Sequence, residues 1–227
     1  NGQVIVAMTV LMALYLGMTA YAMVAVKWVL APTSARGLGF DPVQKLVYTF
    51  AAILLSILLQ LLCAGKIIER FGYRDACVAC AWFATAPYAL NGLSGYVLDA
   101  RPLAGWALLV GTEALRKLLV TVSSICAIHV AVDAVPRDLQ GTCNGVLLSG
   151  LGLGCVLGPI VGGLLWEASV TSPWPFPFNF YSAFLAILAA QAATAYFGGN
   201  LDVADPSRPK EATDPAVEPL VSKRRDS

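Results

Sequence analysis

Long apolar runs separated by short polar segments dominate the chain. A helix rises 1.5 Å per residue, so about 20 apolar residues cross a hydrocarbon core that is about 30 Å thick. Six runs reach about that length, and the pattern predicts an all-α membrane protein with six transmembrane helices. The predicted spans are 4–31, 43–64, 76–97, 103–132, 140–166 and 178–197.

The composition supports a membrane protein. Of the 227 residues, 58% are hydrophobic and 13% are charged, and the mean hydropathy is +0.70. Soluble domains have about a quarter of their residues charged, so we expect the lipid bilayer as the surroundings of the chain. The net charge is only +1, and most bases lie in loops, which excludes nucleic acid as a partner.

The two ends of the chain differ in character. Residues 200–227 are rich in proline and charge and cannot bury enough apolar surface to offset the entropy of ordering. We expect them to form a disordered cytoplasmic tail. The chain starts at Asn1, without an initiator Met, and enters an apolar run almost at once, so we expect it to be part of a longer protein.

A short charged hinge, Gly65–Arg74, separates the second and third spans. Because it lies between two spans, it is expected at a membrane surface as a loop. It contains Lys66, Arg70 and Arg74, and basic loops are retained on the cytoplasmic side. The prediction is therefore an integral, multi-pass protein with both ends in the cytoplasm, in a membrane that the sequence does not identify.

The fourth span has three charged residues near its middle: Glu113, Arg116 and Lys117. Each costs at least about 2.5 to 3.5 kcal/mol there, so each needs a partner. Glu113 can reach either base along one helix face, but the two bases differ by about 100° around the axis. One should pair with Glu113, and the other should face a polar cavity or another helix. The group either lines a substrate or proton pathway or is an ion pair that fixes helix rotation.

Three further polar residues are weaker pathway candidates: Gln60, His129 and Asn144. His129 either relays protons or is an interface residue bonded to Asp133 or to backbone. Gln60 and Asn144 either line the pathway or form hydrogen bonds between helices.

The fifth span has a glycine at every fourth position: Gly150, Gly154, Gly158 and Gly162. Such a strip lets another helix approach closely. Pro159 lies beside the strip and removes one backbone hydrogen bond.

The residues predict neither an enzyme nor a resident metal or cofactor. Cys77-x-x-Cys80 has no second pair and no nearby His to complete a metal site. Hydrolase signatures of the HExxH and Gly-x-Ser-x-Gly type are absent, as is a pair of intramembrane aspartates.

Two motifs carry a resemblance to the major facilitator superfamily. The hinge resembles the loop signature of that family through Gly65, Glu69, Arg70, Gly72 and Arg74, although the family more often has Asp at the position of Glu69 and a base at that of Tyr73. The fifth span resembles the glycine-proline motif of the antiporters of the family. The residues of that motif are Gly145, Gly154, Gly158, Pro159, Gly162 and Gly163.

Further features resemble the zinc-induced-facilitator-like branch, in its second half. They are Gln140-Gly141 and Asn144-Gly145 ahead of the glycine-proline pair, the loop Gly37–Phe40, and Lys117. The resemblance implies that the six spans form one half of a major-facilitator fold, corresponding to helices seven to twelve. The glycine-proline motif would then lie in the symmetry-related helix, which leaves its meaning for antiport open.

The resemblance also implies a function. It suggests a proton-coupled secondary transporter that moves a small molecule or ion by alternating access, as symporter or antiporter. The partner would be the N-terminal six-helix half of the same protein or a second copy, and Glu69 would contact a helix end of that opposite half in one state of the gate. The alternative is a non-transporting receptor or assembly partner that keeps the fold.

Overall fold

A computed structural model describes residues 2–35, 37–171, 179 and 181–199. Every regular element in these ranges is helical. The α-helices are α1 Gly2–Leu30, α2 Pro42–Leu59, α3 Gly65–Phe83, α4 Thr85–Ala100, α5 Pro102–Asp133, α6 Gln140–Val170 and α7 Ser182–Gly198. A π-helix, Gln60–Ala64, joins α2 to α3, and 3₁₀ turns occur at Thr33–Ala35 and Arg137–Leu139.

Four helical stretches in the described ranges are long and apolar enough to cross a membrane. They are Gly2–Leu30, Pro42–Ala100, Pro102–Asp133 and Arg137–Val170. Helix α7 is apolar but has only 17 residues. The described residues therefore confirm the all-α prediction, and four helical stretches have the length and composition that a membrane span needs. Six separate spans are not seen, because the 59-residue stretch Pro42–Ala100 includes both the second and the third predicted span.

The hinge is helical over most of its length, so the prediction of a loop over residues 65–74 was wrong. The chain runs from α2 through the π-helix into α3, and among the residues of α3 only Gly72 has non-helical dihedral angles, φ 73° and ψ 168°. That conformation is essentially restricted to glycine. Gly72 therefore sets the point at which the helix axis changes direction, and the charged residues before it remain helical.

The third predicted span, 76–97, contains an interruption of the α-helical hydrogen-bond pattern. Helix α3 ends at Phe83 and α4 begins at Thr85. Pro87 lies four residues after Phe83, and a proline both lacks an N–H group and clashes with the carbonyl group four residues earlier. The break at Ala84 follows from that missing hydrogen bond.

Helix α2 begins at a complete capping box. The Asp41 carboxylate accepts a hydrogen bond from the Gln44 N–H group at 2.7 Å, and the Gln44 side chain accepts one from the Asp41 N–H group at 3.0 Å. Pro42 follows in the first turn, where its fixed φ angle suits a helix start. The sequence thus fixes the start of a helix that forms one wall of the cavity described below.

Helices α1 and α6 pack closely along the glycine strip. A side chain at Gly150 would overlap Met8, and one at Gly162 would overlap the backbone of Ala20, so the two helices run parallel. The Thr19 hydroxyl group shares its proton between the Tyr15 carbonyl group on α1, at 2.7 Å, and the Gly154 carbonyl group across the interface, at 3.1 Å. Close approach of this kind requires glycine on one of the two helices.

Some helices extend beyond the predicted spans. Helix α6 continues to Val170, past the predicted end at Trp166. The predicted start of the sixth span at Phe178 and the tail 200–227 lie outside the described residues.

Candidate functional site

A cavity of about 360 Å³ opens between α1, α2 and α5. Its wall on α1 is mostly apolar, with Ala22, Ala25 and Val26, whereas α2 and α5 contribute most of the polar groups. The charged lining residues are Lys45, Glu113, Arg116 and Lys117. The three charged residues that the sequence places inside the fourth span, Glu113, Arg116 and Lys117, therefore all line one cavity.

Glu113 and Arg116 form a bidentate ion pair along α5. Arg116 Nη2 lies 2.6 Å from Glu113 Oε1, and Arg116 Nε donates to Glu113 Oε2 at 3.0 Å. Both residues are buried, with exposed fractions of 8% for Glu113 and 2% for Arg116. Two parallel charge-assisted hydrogen bonds of this kind are among the stronger side-chain interactions.

Lys117 is the second base beside the same carboxylate. Its Nζ atom lies 3.6 Å from Glu113 Oε1, and its side chain is 27% exposed. This distance allows an ion pair but is longer than a hydrogen bond. Lys117 is therefore held more loosely than Arg116 and has donors free to meet a group in the cavity.

Two tyrosine rings hold the Arg116 guanidinium from other helices. Its Cζ atom lies 4.4 Å from the ring centroid of Tyr21 on α1 and 5.5 Å from that of Tyr88 on α4. The rings meet edge to face, with centroids 4.9 Å apart, and Asn91 donates a hydrogen bond to the Tyr21 hydroxyl group. Cation–π contacts between desolvated groups contribute about 2 kcal/mol, so the rings fix the orientation of the ion pair.

Sequence analysis did not identify this aromatic clamp. A buried tyrosine usually directs its hydroxyl group to a polar partner, and that was the available signal for Tyr21, Tyr48 and Tyr88. All three are buried. Which partner each would find depends on helix packing, and no short motif records it.

Several buried polar atoms of this region lack a hydrogen-bond partner among the described residues. They are Arg116 Nη1, the Tyr88 hydroxyl group and Asn91 Oδ1. Leaving a buried polar group unpaired costs about 1 to 3 kcal/mol. The region therefore has hydrogen-bonding capacity that this conformation does not use.

The charged lining of the cavity is predominantly basic. Lys45, Arg116 and Lys117 face it, against the single acid Glu113. Because the surroundings are apolar, these charges are screened less than they would be at an aqueous surface. The cavity thus favours a negative charge.

The other predicted pathway residues are not all brought together. Gln60 lines the cavity and is the first residue of the π-helix, a feature that is often found at functional sites. His129 is exposed and stacks on Tyr73, with ring centroids 4.5 Å apart. Asn144 is exposed on α6. His129 and Asn144 are not among the residues that line this cavity.

The predicted gating residues lie together on the first part of α3, around Gly72. Glu69 and Arg70 are exposed. Arg74 Nη2 donates to the carbonyl group of Gly199 at 3.1 Å, at the C-terminal end of α7. A cation is favourable at that end of a helix, so this contact ties α3 to α7.

The glycine-proline residues face two different surroundings. Gly154, Gly158 and Gly162 meet α1 so closely that a side chain would overlap it, whereas Gly145 and Gly163 have open space beside them. Pro159 is inside α6. Three of these residues therefore serve the α1–α6 contact, and α1 also forms a wall of the cavity.

Within the described part of the chain, no group of three or more His, Cys, Asp or Glu side chains could hold a metal ion. Cys77 and Cys80 are buried, and Ser123 donates a hydrogen bond to the Cys77 carbonyl group at 2.9 Å. This pair of cysteines belongs to the packing between α3 and α5.

Comparison with known families gives one match. The family model described as Major Facilitator Superfamily matches residues 5–226. Searches of curated proteins and of solved structures found no match to the chain.

Proposed function

The chain belongs to the major facilitator superfamily, whose members are membrane transporters, and from this premise we propose that it is the C-terminal half of a proton-coupled secondary transporter. In this proposal the stretch Pro42–Ala100 crosses the membrane twice. As one straight helix it would be about 88 Å long, nearly three times the thickness of a hydrocarbon core, and Gly72 divides it. With α7 as a short sixth span, the chain has six.

The shape of the cavity supports a half-transporter. Its walls come from α1, α2 and α5, so it needs a second wall to enclose a solute. In transporters built from two repeats, the site lies between them, and rocking of one repeat against the other exposes it alternately to each side. The second wall would be the N-terminal six-helix half or a second copy of this chain. We also propose that the chain is nearest the zinc-induced-facilitator-like branch, which Gln140-Gly141, Asn144-Gly145 and Lys117 support.

The basic hinge supports a topology with both ends in the cytoplasm. Lys66, Arg70 and Arg74 are all exposed on the first part of α3, and bases near span ends favour the cytoplasmic side. An impermeant thiol label applied to intact cells should not reach a cysteine introduced at Arg70. Labelling there would reverse the assigned orientation.

We assign to Glu113 the role of binding and releasing the coupled proton. It is a buried carboxylate between two bases, and one of them, Lys117, is held at 3.6 Å and partly exposed. A proton on Glu113 neutralises the carboxylate and releases Lys117, while the tyrosine rings still hold Arg116. The shared carboxylate at the cavity wall is the single observation that carries proton coupling.

The test uses the complete protein reconstituted in vesicles that contain a pH-sensitive dye. Addition of a transported solute to wild-type vesicles should move protons, and Glu113→Gln should abolish this movement while solute-for-solute exchange continues. Glu167→Gln, an exposed acid on α6, is the matched control and should behave as the wild type.

Two results would contradict the proposal. Proton movement that persists in Glu113→Gln would remove the role of this carboxylate. Failure of the wild-type protein to move any solute from a broad panel would favour a receptor or assembly partner that keeps the fold without the transport cycle.

A further inference from the structure

We propose that the cavity between α1, α2 and α5 takes a small organic anion, and that Lys117 is the residue that selects it, in competition with Glu113. The cavity is the site of the proposed transport function, and the inference names the chemical class of its substrate. The charges that line the cavity, and how firmly each of them is already held, determine which substrate the cavity can bind.

The charges that line the cavity disfavour a cationic substrate. A cation in this cavity would meet Lys45, Arg116 and Lys117, with Glu113 as the only acid. That acid already accepts two hydrogen bonds from Arg116. Like charges in surroundings of low dielectric constant repel strongly, so a carboxylate or phosphate group is the complementary ligand.

Lys117 is the base best able to bind such an anion. An ammonium group has three donors, and its distance of 3.6 Å from Glu113 Oε1 exceeds that of a hydrogen bond. The side chain of Lys117 is 27% exposed, whereas Arg116 is only 2% exposed. An incoming anion can therefore pair with Lys117 while the two hydrogen bonds between Arg116 and Glu113 stay in place.

Arg116 is a positioning residue in this arrangement. Its Nε and Nη2 atoms are committed to Glu113, and its face lies against the Tyr21 ring. It holds the Glu113 carboxylate in place beside Lys117. The Glu113 carboxylate contacts both bases. An anion that pairs with Lys117 replaces the contact between Lys117 and Glu113, so the anion and Glu113 compete for Lys117.

The rest of the lining indicates an organic body on the anion. Ala22, Ala25 and Val26 line the side of α1, and Tyr48 contributes an aromatic ring from α2. The volume of about 360 Å³ lies near the lower end of the range of small-molecule sites. Such a cavity suits a compact apolar body with one acidic group better than a fully hydrated inorganic ion.

The test measures binding directly, using the complete protein in nanodiscs of phosphatidylcholine. The probes are matched in shape and differ in charge: benzoate, benzamide and benzylammonium, and also succinate, succinamide and 1,4-diaminobutane. Tryptophan fluorescence follows thermal unfolding at several concentrations of each probe. We expect at least one anion to raise the unfolding temperature while its neutral and cationic counterparts do not.

Three variants locate the selectivity. Lys117→Gln should weaken anion binding by about tenfold or more, which corresponds to the loss of one charge-assisted contact of at least about 1.4 kcal/mol. Lys117→Arg should retain binding. Lys27→Gln, a base on α1 that does not line the cavity, is the matched control and should bind as the wild type does.

Glu113→Gln tests the competition itself. Removing the negative charge should make the anion bind more tightly, whereas a merely structural role for Glu113 would leave binding unchanged or weaken it. Lys117→Gln and Lys117→Arg keep the test informative if the Glu113 variant fails to fold.

Several results would overturn the inference. They are stronger stabilisation by a cation or a neutral probe, no stabilisation by any anion, or unchanged anion affinity in Lys117→Gln. Stabilisation by added phosphatidylglycerol without any effect of soluble anions would assign the site to a lipid headgroup and would also overturn it. Because binding is measured without transport, anion binding with no solute movement would contradict the proposed function alone, and transport of cations would contradict this inference alone.

Discussion

The guanidinium group of Arg116 on α5 lies 4.4 Å from the ring centroid of Tyr21 on α1, while the same group donates two hydrogen bonds to Glu113. The ion pair thus belongs to the contact between two helices as well as to one helix face. The geometry of the cavity between these helices depends on the integrity of this pair.

The first prediction concerns the ion pair. Breaking a buried ion pair from one side leaves an uncompensated charge and costs about 3 to 5 kcal/mol, whereas replacing both partners with apolar residues costs much less. Glu113→Leu and Arg116→Met should each lower the unfolding temperature of the purified protein in detergent. The double variant should be more stable than either single variant.

Lys117→Gln is the control for this series, because Lys117 is partly exposed and leaves no buried charge behind. It should change the unfolding temperature only slightly. If the two single effects simply add in the double variant, Glu113 and Arg116 do not act as a coupled pair.

The second prediction uses two neighbouring glycines of α6. A side chain at Gly162 would overlap backbone atoms of Ala20 on α1, whereas Gly163 has open space beside it. Overpacking a tight contact costs about 1 to 3 kcal/mol, and alanine is the better helix former. Gly162→Ala should therefore lower the unfolding temperature, and Gly163→Ala should leave it unchanged or raise it. Equal effects would contradict the close α1–α6 contact.

Features that depend on short spacing along one helix could be predicted from the sequence. The spacing of three residues between Glu113 and Arg116 places their charges on one face, and the structure has that ion pair. The glycines at every fourth position predict a strip for close packing, and the structure packs α1 against it. In both cases the spacing of the residues along one helix determines which face of the helix they share.

Features that depend on the packing of distant helices could not be predicted in this way. Tyr21 and Arg116 are far apart in the chain, and a tyrosine in an apolar span has the same local pattern whether it faces lipid, a cavity or an arginine. The loop prediction for the hinge rested on its position between two apolar runs, which does not determine the local backbone conformation. A non-helical backbone needs only Gly72, and charged residues such as Lys66 and Arg70 are good helix formers.

The third prediction tests the turn at Gly72. A residue with a side chain at φ 73° and ψ 168° costs about 1 to 3 kcal/mol in strain. Gly72→Ala should therefore lower the unfolding temperature, although the space around it is open. Gly65 has helical dihedral angles and also has open space, so Gly65→Ala should be neutral or stabilising. A neutral Gly72→Ala would show that this backbone conformation is not required.

The fourth prediction concerns Glu69, which is exposed on α3 close to Gly72 and which we propose as a gating residue because the family resemblance implies that role. In a two-half transporter such a carboxylate can contact a helix N-terminus of the opposite half in one state only, which is worth about 0.3 to 1 kcal/mol and up to about 2 kcal/mol when partly buried. Removing its charge should slow the cycle by roughly 2- to 30-fold. Uptake by the complete protein in vesicles measures this for Glu69→Gln, with the amount inserted in the membrane unchanged. Asp75 is another exposed acid on α3, six residues after Glu69. The variant Asp75→Asn should transport at the wild-type rate. If both variants behave alike, the slowing follows from the loss of surface charge and Glu69 has no specific contact with the opposite half.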